Sequence, residues 1–259
     1  MPKIHPTAFV DPAAKIADDV EIGPLVSIEA DVTVGEGTTI QQGAILRGHT
    51  TIGKNCRIYP YACVGMKTQD LKYISGSTSY VEIGDGTTLR EFSTVHLGTF
   101  DGEKTIVGKN CLIMAYCHVA HGCVLGDHVI TSNAVQLAGS VTIEDFGIIG
   151  GVTGVHQFCR IGTHAMVGGA AKVRRDIPPY MMCDEVDGEM RAVGPNIVGL
   201  SRRGFPQSVC RALKEAYRII YREKLNRSQA LDKIEREIEQ TPEIAHLVKF
   251  YRDSTRGVC

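Results

Sequence analysis

Aliphatic side chains recur at every sixth position over most of the chain. From Ile4 to Val64 a step of six residues always meets isoleucine, valine or leucine. The same step holds from Val107 to Val173, with Thr131 as the one departure. An α-helix would repeat about every 3.6 residues and a strand every second residue. A period of six instead indicates a solenoid, in which each unit is a short strand and a turn, three units close a triangular coil, and coils stack as parallel β-sheets.

Two segments interrupt this six-residue repeat. The first covers residues 65–82 and contains the run Gln69-Asp70-Leu71-Lys72, and the second covers about 96–106. In so regular a lattice, we expect both segments to leave the coil as loops, and such loops often carry function.

Helical spacing replaces the six-residue period after Pro178-Pro179. One amphipathic face is formed by Val209, Leu213, Ala216, Tyr217 and Ile220. We expect a second helix to begin at a cap on Ser228 and to run through Gln240. A third is expected at Thr241, a cap followed by Pro242 at the first helical position.

These patterns predict a mainly β chain with two parts, a β-solenoid at residues 1–190 and a helical domain at 191–259. From Arg202 to the end there are 13 Lys and Arg against 8 Asp and Glu. This excess fits binding to an acidic partner, but a solvated helix surface would look similar.

Net charge, apolar runs and cysteine content argue against several classes of protein. The formal net charge of −1 argues against nucleic-acid binding, which requires a basic field. The first residues lack the apolar run of a signal peptide, and no stretch approaches the roughly 18 apolar residues of a membrane span. Nine cysteines, an odd number without a secretion signal, fit reduced thiols. We therefore expect a soluble cytoplasmic protein.

The stretch CHVAHGC, residues 117–123, has the residue types of a zinc site. Counted from the aliphatic residue of each unit, Cys117 and Cys123 occupy the fifth position, which in such solenoids points inward and takes small side chains. Cys56, Cys111 and Cys159 occupy it too. Reduced cysteine behaves as a small hydrophobic residue. We therefore predict that these cysteines belong to the core and bind no metal.

His121 occupies the third position of its unit, and one coil of eighteen residues separates it from Gly139. Stacked coils are about 4.8 Å apart, so the Gly139 N–H is predicted to lie beside the imidazole. Acyl transfer requires this pair, a base for a hydroxyl proton and a donor for the developing oxyanion. The lattice alone also allows a structural histidine.

Specific motifs along nearly the whole chain favour the catalytic interpretation. They are QDLKY (69–73), HVAH (118–121), GVHQFC (154–159), MVGG (166–169), DIPPY (176–180), RRGF (202–205) and STRGV (254–258). With them the chain resembles the UDP-N-acetylglucosamine O-acyltransferase family, hexapeptide-repeat enzymes that begin lipid A synthesis. The resemblance implies a left-handed parallel β-helix followed by a small α-helical domain. It also implies a homotrimer with active sites in clefts between coils, and no metal or cofactor.

The resemblance further implies a reaction. His121 would be the general base for the sugar 3-hydroxyl, which attacks the thioester of a (3-hydroxy)acyl group on acyl carrier protein, and Gly139 N–H would bind the oxyanion. The implied contacts to UDP-N-acetylglucosamine are Asp70, Lys72, His118, His156, Gln157, Asn196, Arg202 and Arg203. Arginine suits a diphosphate because its planar fork binds two phosphate oxygens. Gly169 would border the acyl groove and leave it open to a longer chain.

Three features depart from the family pattern. The family usually has Asp where this chain has Gly122 and His where it has Ser140, and these positions stack in adjacent coils. Without that carboxylate, His121 needs another group to fix its tautomer, such as a backbone carbonyl. The segment 183–199 carries extra acidic residues and has Val198 where an acid commonly contacts the nucleotide. The nucleotide or acceptor sugar can therefore differ.

Three alternatives stay open at this stage. A paralogue could acylate a related nucleotide sugar, including one with an amine acceptor, which Val198 and Gly122 favour and the intact QDLKY motif disfavours. A γ-type carbonic anhydrase is also a left-handed β-helix, with zinc held by three histidines across a subunit boundary. A scaffold without activity is the third.

Overall fold

A computed structural model describes residues 1–259, which form 28 strands and four helices. The strands are β1 Lys3–Ile4, β2 Phe9–Val10, β3 Lys15–Ile16, β4 Glu21–Ile22, β5 Ser27–Ile28, β6 Thr33–Val34, β7 Thr39–Ile40, β8 Ile45–Leu46, β9 His49–Ile52, β10 Arg57–Ile58, β11 Cys63–Met66, β12 Tyr80–Ile83, β13 Thr88–Leu89, β14 Thr94–His96, β15 Lys104–Val107, β16 Leu112–Ile113, β17 His118–Val119, β18 Val124–Leu125, β19 Ile130–Thr131, β20 Gln136–Leu137, β21 Thr142–Ile143, β22 Ile148–Ile149, β23 Gly154–Val155, β24 Arg160–Ile161, β25 Met166–Val167, β26 Lys172–Val173, β27 Met181–Val186 and β28 Glu189–Pro195. The helices are α1 Ile197–Arg202, α2 Gln207–Arg222, α3 Arg227–Glu237 and α4 Pro242–Arg252.

Successive strands enter three different sheets, and every third strand pairs in parallel. The first sheet runs from β1 through β4 and β7 to β25, the second from β2 to β26, and the third from β3 to β24. Each coil therefore supplies one strand to each side of a three-sided β-helix. This architecture confirms the solenoid predicted from the six-residue period.

In the structure, the residues of the six-residue period form columns of buried side chains that stack from coil to coil. Ile113 stands beside Thr131 and Thr131 beside Ile149, and all three are fully buried. The one polar departure from the period therefore still occupies the core. Cys117 and Cys123 are buried as predicted, and burial raises the pKa of the Cys123 thiol to about 12. No group of three His, Cys, Asp or Glu side chains is arranged to hold a metal ion.

Both interruptions leave the coil as loops. The first loop, residues 67–79, connects β11 to β12, and the second loop, residues 97–103, connects β14 to β15. Each is flanked by strands longer than the usual two residues, so the segments that leave the coil are shorter than the interruptions of the period.

A hairpin that the sequence did not predict closes the β-helix. β27 continues the first sheet in parallel beside β25, and β28 returns antiparallel to β27. The turn is Asp187-Gly188, with φ of 54° and 78°, and Asp-Gly suits a two-residue turn that needs positive φ twice. Residue 190, the expected domain boundary, lies inside β28.

The helical domain follows most of the predicted pattern. α2 buries Val209, Leu213 and Ala216. The predicted cap of α4 is confirmed, since Thr241 accepts a hydrogen bond from the Ile244 amide and Pro242 begins the helix. α1, only six residues long, was not predicted.

The predicted cap at Ser228 is wrong. Asn226 caps α3, because its side chain accepts a hydrogen bond from the Gln229 amide while the Gln229 side chain accepts one from the Asn226 amide. This reciprocal capping box favours a start two residues earlier than a lone serine cap. α3 also ends at Glu237 rather than at Gln240.

The C-terminal tail is fastened to the last coil through Asp176. This buried carboxylate accepts hydrogen bonds from the Arg160 amide at 2.8 Å and from Ser254 Oγ at 2.7 Å. Asp176 also forms a parallel bridge with Val258. The DIPPY and STRGV motifs therefore contact each other.

No helix has the length and apolar character needed to cross a bilayer.

Candidate active site

His121 and Gly139 lie against each other on adjacent coils. A Cβ built on Gly139 would stand 2.2 Å from His121 Nε2, so any other residue there would have to displace the imidazole. Gly139 is buried and its amide donates to no acceptor in the chain, which is rare for a buried N–H. The imidazole nitrogen therefore lies beside a residue with an unbonded backbone N–H, and the closeness of the two residues is what the eighteen-residue step predicted.

Two carboxylates flank the same imidazole, one from each loop. Asp70 Oδ2 lies 3.4 Å from His121 Nε2. Glu103 Oε2 lies 4.0 Å from His121 Nδ1, which is buried and has no hydrogen-bond partner. The sequence led us to expect another group near His121, with a backbone carbonyl as the example; no carbonyl bonds Nδ1, and the acceptor that faces it is the Glu103 carboxylate.

The two loops are joined by buried threonines. Thr68 Oγ1 and Thr99 Oγ1 are 3.1 Å apart, and Thr68 Oγ1 also accepts the Asp70 amide at 3.1 Å. The Thr99 amide donates to the Glu103 carboxylate. These hydrogen bonds thus connect the Asp70 backbone to the Glu103 carboxylate through the two threonines.

His118 and His96 form the floor beside the imidazole. His118 Nδ1 lies 2.7 Å from Thr94 Oγ1, and its ring meets the His96 ring edge to face at 4.6 Å. Burial, with like charge on His118 and His121 as the smaller cause, lowers the pKa of His96 to about 4. Burial also lowers the pKa of His118. Both rings are therefore neutral near pH 7, and Lys72 adds a cation to this cavity.

A cavity of about 330 Å³ opens between the loops and the coil. Five residues expected from the sequence line it: Asp70, Lys72, His118, His121 and Gln157. His156 lines a neighbouring groove of about 380 Å³ on the second sheet, with Lys172 and Arg174. Arg256 Nη2, from the STRGV motif, lies 3.2 Å from His156 Nδ1.

The residues expected at the nucleotide lie on a different edge of the β-helix. His121 is in the turn from the second sheet to the third, whereas Arg203 stacks at 4.1 Å on Phe146, in the turn from the third sheet to the first. Asn196 caps α1 and donates to His164 O at 3.0 Å. Arg202 and Val198 are exposed. A single chain therefore does not bring these residues to His121.

Gly169 occupies the remaining edge, in the turn from the first sheet to the second. It lines neither cavity. A Cβ there would meet only Gly151, with the Gly151 oxygen at 3.2 Å, so a larger side chain would project into open space.

Sequence reasoning missed His96 and Glu103. His96 follows the last aliphatic position before the second loop, and Glu103 is one of two acids near its end. The sequence signal for Glu103 was that Gly122 and Ser140 are both smaller than the residues that the family usually has there. The two small residues leave space for a carboxylate from another part of the chain.

A coil histidine paired with a free backbone donor, on a β-helix of hexapeptide repeats, defines the chain as a hexapeptide-repeat acyltransferase. Family models agree: residues 176–259 match the second domain of UDP-N-acetylglucosamine O-acyltransferase, and residues 31–65 and 104–139 match the bacterial transferase hexapeptide repeat. The chain belongs to the UDP-N-acetylglucosamine O-acyltransferase family. This membership weighs against the carbonic anhydrase alternative.

Curated relatives and solved structures match over the full length. The chain is 46% identical to an acyl-[acyl-carrier-protein]–UDP-N-acetylglucosamine O-acyltransferase of Verminephrobacter eiseniae, covering 100% of this chain and 99% of the relative. The UDP-N-acetylglucosamine acyltransferase structure from Bacteroides fragilis is 40% identical with a TM-score of 0.95, covering 99% of each chain. The corresponding structure from Acinetobacter baumannii is 41% identical with a TM-score of 0.93, covering 98% of each chain.

Proposed function

We propose that this chain transfers a (3-hydroxy)acyl group from acyl carrier protein to the 3-hydroxyl of UDP-N-acetylglucosamine, the first step of lipid A synthesis. One observation carries the proposal: His121 Nε2 lies against the backbone of Gly139, whose amide donates to no acceptor in the chain. Full-length relatives named for this reaction support the substrate pair.

The reaction needs one base and one oxyanion donor. His121 Nε2 accepts the proton of the sugar 3-hydroxyl while that oxygen bonds to the thioester carbonyl carbon. The carbonyl oxygen becomes an oxyanion and accepts a hydrogen bond from Gly139 N–H. Collapse breaks the carbon–sulfur bond, and the departing thiolate takes the proton from the imidazolium. The base is then neutral again, so no cofactor or metal is consumed or required.

The cavity beside His121 suits an aminosugar ring. Asp70 Oδ2 and His121 Nε2 are 3.4 Å apart, a separation at which sugar hydroxyls can bind both atoms. Lys72, His118 and Gln157 line the same cavity and add hydrogen-bonding groups. His156 lines the second-sheet groove, which we assign to the acyl chain. Gly169 lies outside the lining of this groove, in the turn at the other edge of the same sheet, where we propose that the end of the acyl chain lies.

A homotrimer would complete the site. Asn196, Arg202 and Arg203 lie on another edge of the β-helix, so a neighbouring copy must present them for the nucleotide to contact both sets. Mixing His121→Ala with Arg203→Ala subunits tests this arrangement. If the two residues come from different copies, random mixing restores about a quarter of the sites. No recovery on mixing would place both residues in one chain.

Acyl carrier protein is the proposed donor partner. The 13 basic and 8 acidic residues from Arg202 onward give the helical domain a positive surface that favours an acidic carrier. The proposed location is the cytoplasm, where all nine free cysteines would stay reduced.

The acceptor separates this proposal from its closest alternative. Exposed Val198, where an acid is usual, favours a paralogue that acylates a 3-amino sugar. Initial rates are measured with a panel of 3-hydroxyacyl carrier proteins and two acceptors, UDP-N-acetylglucosamine and its 3-amino analogue. Transfer to the hydroxyl supports the proposal. Transfer only to the amine would replace it with N-acylation, and no transfer to either would reject both.

A further inference from the structure

Glu103 presents its carboxylate to the nitrogen of His121 that the reaction does not use. Oε2 accepts hydrogen bonds from the Thr99 amide and, at 3.2 Å, from the Phe100 amide, and it lies 4.0 Å from His121 Nδ1. No other acceptor bonds Nδ1. A histidine that acts as a base through Nε2 needs its proton on Nδ1, and an acceptor there fixes that tautomer.

We propose that Glu103 is the positioning residue of His121, accepting the Nδ1–H hydrogen bond and stabilising the imidazolium that forms during transfer. The proposal rests on the function proposed above. A shift of about 1 Å in either side chain brings Nδ1 and Oε2 to hydrogen-bond distance. Because the second loop is tied to the first by the Thr68–Thr99 contact, closure of the loops over a sugar can supply that shift.

Gly122 and Ser140 create the space for this carboxylate. A Cβ built on Gly122 would stand 2.4 Å from Glu103 Oε1 and 3.2 Å from Ser140 Oγ. A side chain at position 122 and the observed position of Glu103 therefore exclude each other. The two small residues and the loop carboxylate form one arrangement, in which the acid reaches the imidazole from the second loop.

The other charged and titratable groups around His121 lie away from its Nδ1 atom. Asp70 faces the Nε2 side, His118 and His96 lie on the floor of the cavity, and Lys72 lines its wall. Among them, only Glu103 approaches Nδ1.

Removing the charge alone gives the first test. Glu103→Gln keeps an oxygen for the Thr99 amide, so the loop remains fastened. We expect kcat to fall about 10- to 100-fold with KM nearly unchanged. The matched control is Glu82→Gln. It removes an exposed carboxylate on β12 that accepts a hydrogen bond from Lys104 on the neighbouring strand β15, and we expect kcat to stay at the wild-type value.

Moving the carboxylate gives a sharper test. Glu103→Ala and Gly122→Asp are each expected to impair turnover, the first by losing the acceptor and the second by collision of two acids. The double variant Glu103→Ala/Gly122→Asp removes the collision and returns a carboxylate to the same space. We expect at least about tenfold higher kcat than in Glu103→Ala, a coupling that a purely structural role would not produce.

The ring tautomer of His121, read from its nitrogen chemical shifts by NMR without substrate, separates the two proposals. An acceptor at Nδ1 favours the tautomer with its proton on that nitrogen, so this tautomer should lose population in Glu103→Ala and recover in the double variant. An unchanged tautomer together with no recovery of kcat in the double variant would overturn the role of Glu103, even in an active enzyme. Failure of the wild type to transfer any acyl group would instead reject the proposed function, while the tautomer still decides whether Glu103 acts on His121.

Discussion

The backbone of Gly139 lies so close to His121 that a single methyl group would occupy the place of the imidazole nitrogen, 2.2 Å from Nε2. This contact predicts the effect of Gly139→Ala. The new Cβ must displace the proposed base and disturb the proposed oxyanion donor, so we expect kcat to fall at least about 100-fold. Gly23→Ala is the control, since its Cβ would also press on neighbouring backbone, at 3.1 Å from the nearest atom, but several coils away from His121. Comparable losses in both variants would contradict a local effect.

His96 makes stability depend on pH. Its pKa is lowered from 6.5 to about 4 in the folded chain, so between these values the unfolded chain binds a proton that the folded chain does not. The free energy of unfolding should therefore fall as the pH drops from 6.5 to 4, by about 3 kcal/mol from this residue. Denaturant titrations of His96→Gln should show a shallower pH dependence. His5→Gln, at an exposed site, should not, and equal slopes in His96→Gln and the wild type would contradict the prediction.

Asp176 is expected to hold the C-terminal tail on the coil. Asp176→Ala leaves the Arg160 amide and Ser254 hydroxyl without their acceptor in a buried place, which should lower the free energy of unfolding by about 3 kcal/mol. Glu36→Ala breaks an exposed ion pair with Lys54 and should leave the denaturation midpoint unchanged. Equal midpoints for the two variants would show that the tail contributes little.

Gly169 should control acyl-chain length. A methionine there would project past Gly151 into the open space that we assign to the end of the acyl groove. We expect Gly169→Met to favour shorter hydroxyacyl donors at least about tenfold in the ratio of kcat/KM values. Gly169→Ala adds only a methyl group and should change this ratio much less. A chain-length profile that stays unchanged in Gly169→Met would place the groove elsewhere.

The coil was predictable because its rule is local and repeats. An aliphatic residue every six positions fixes which side chains point inward, and the eighteen-residue step brings His121 to Gly139 without knowledge of any other contact. The same arithmetic placed Cys117 and Cys123 in the core.

Features outside the repeat were not predictable in this way. Glu103 reaches His121 only because Thr99 and Thr68 fold the two loops together, and loops have no period from which to read a contact. The cap of α3 depended on a choice between Asn226 and Ser228, both good capping residues, that the Gln229 side chain decides. The resemblance of the motifs indicated that Arg203 is a site residue. It did not indicate on which edge of the β-helix Arg203 lies.

The rate of His121→Ala decides whether His121 acts as the general base. Formation of the 3-O-acyl product from a 3-hydroxyacyl carrier protein and UDP-N-acetylglucosamine is measured for this variant, for the wild type and for His5→Ala, after equal denaturation midpoints have been established. Loss of a general base predicts a fall in kcat of about 1000-fold in His121→Ala and none in His5→Ala. A His121→Ala rate within about tenfold of the wild type would mean that another group removes the proton, and the account of the site would be wrong.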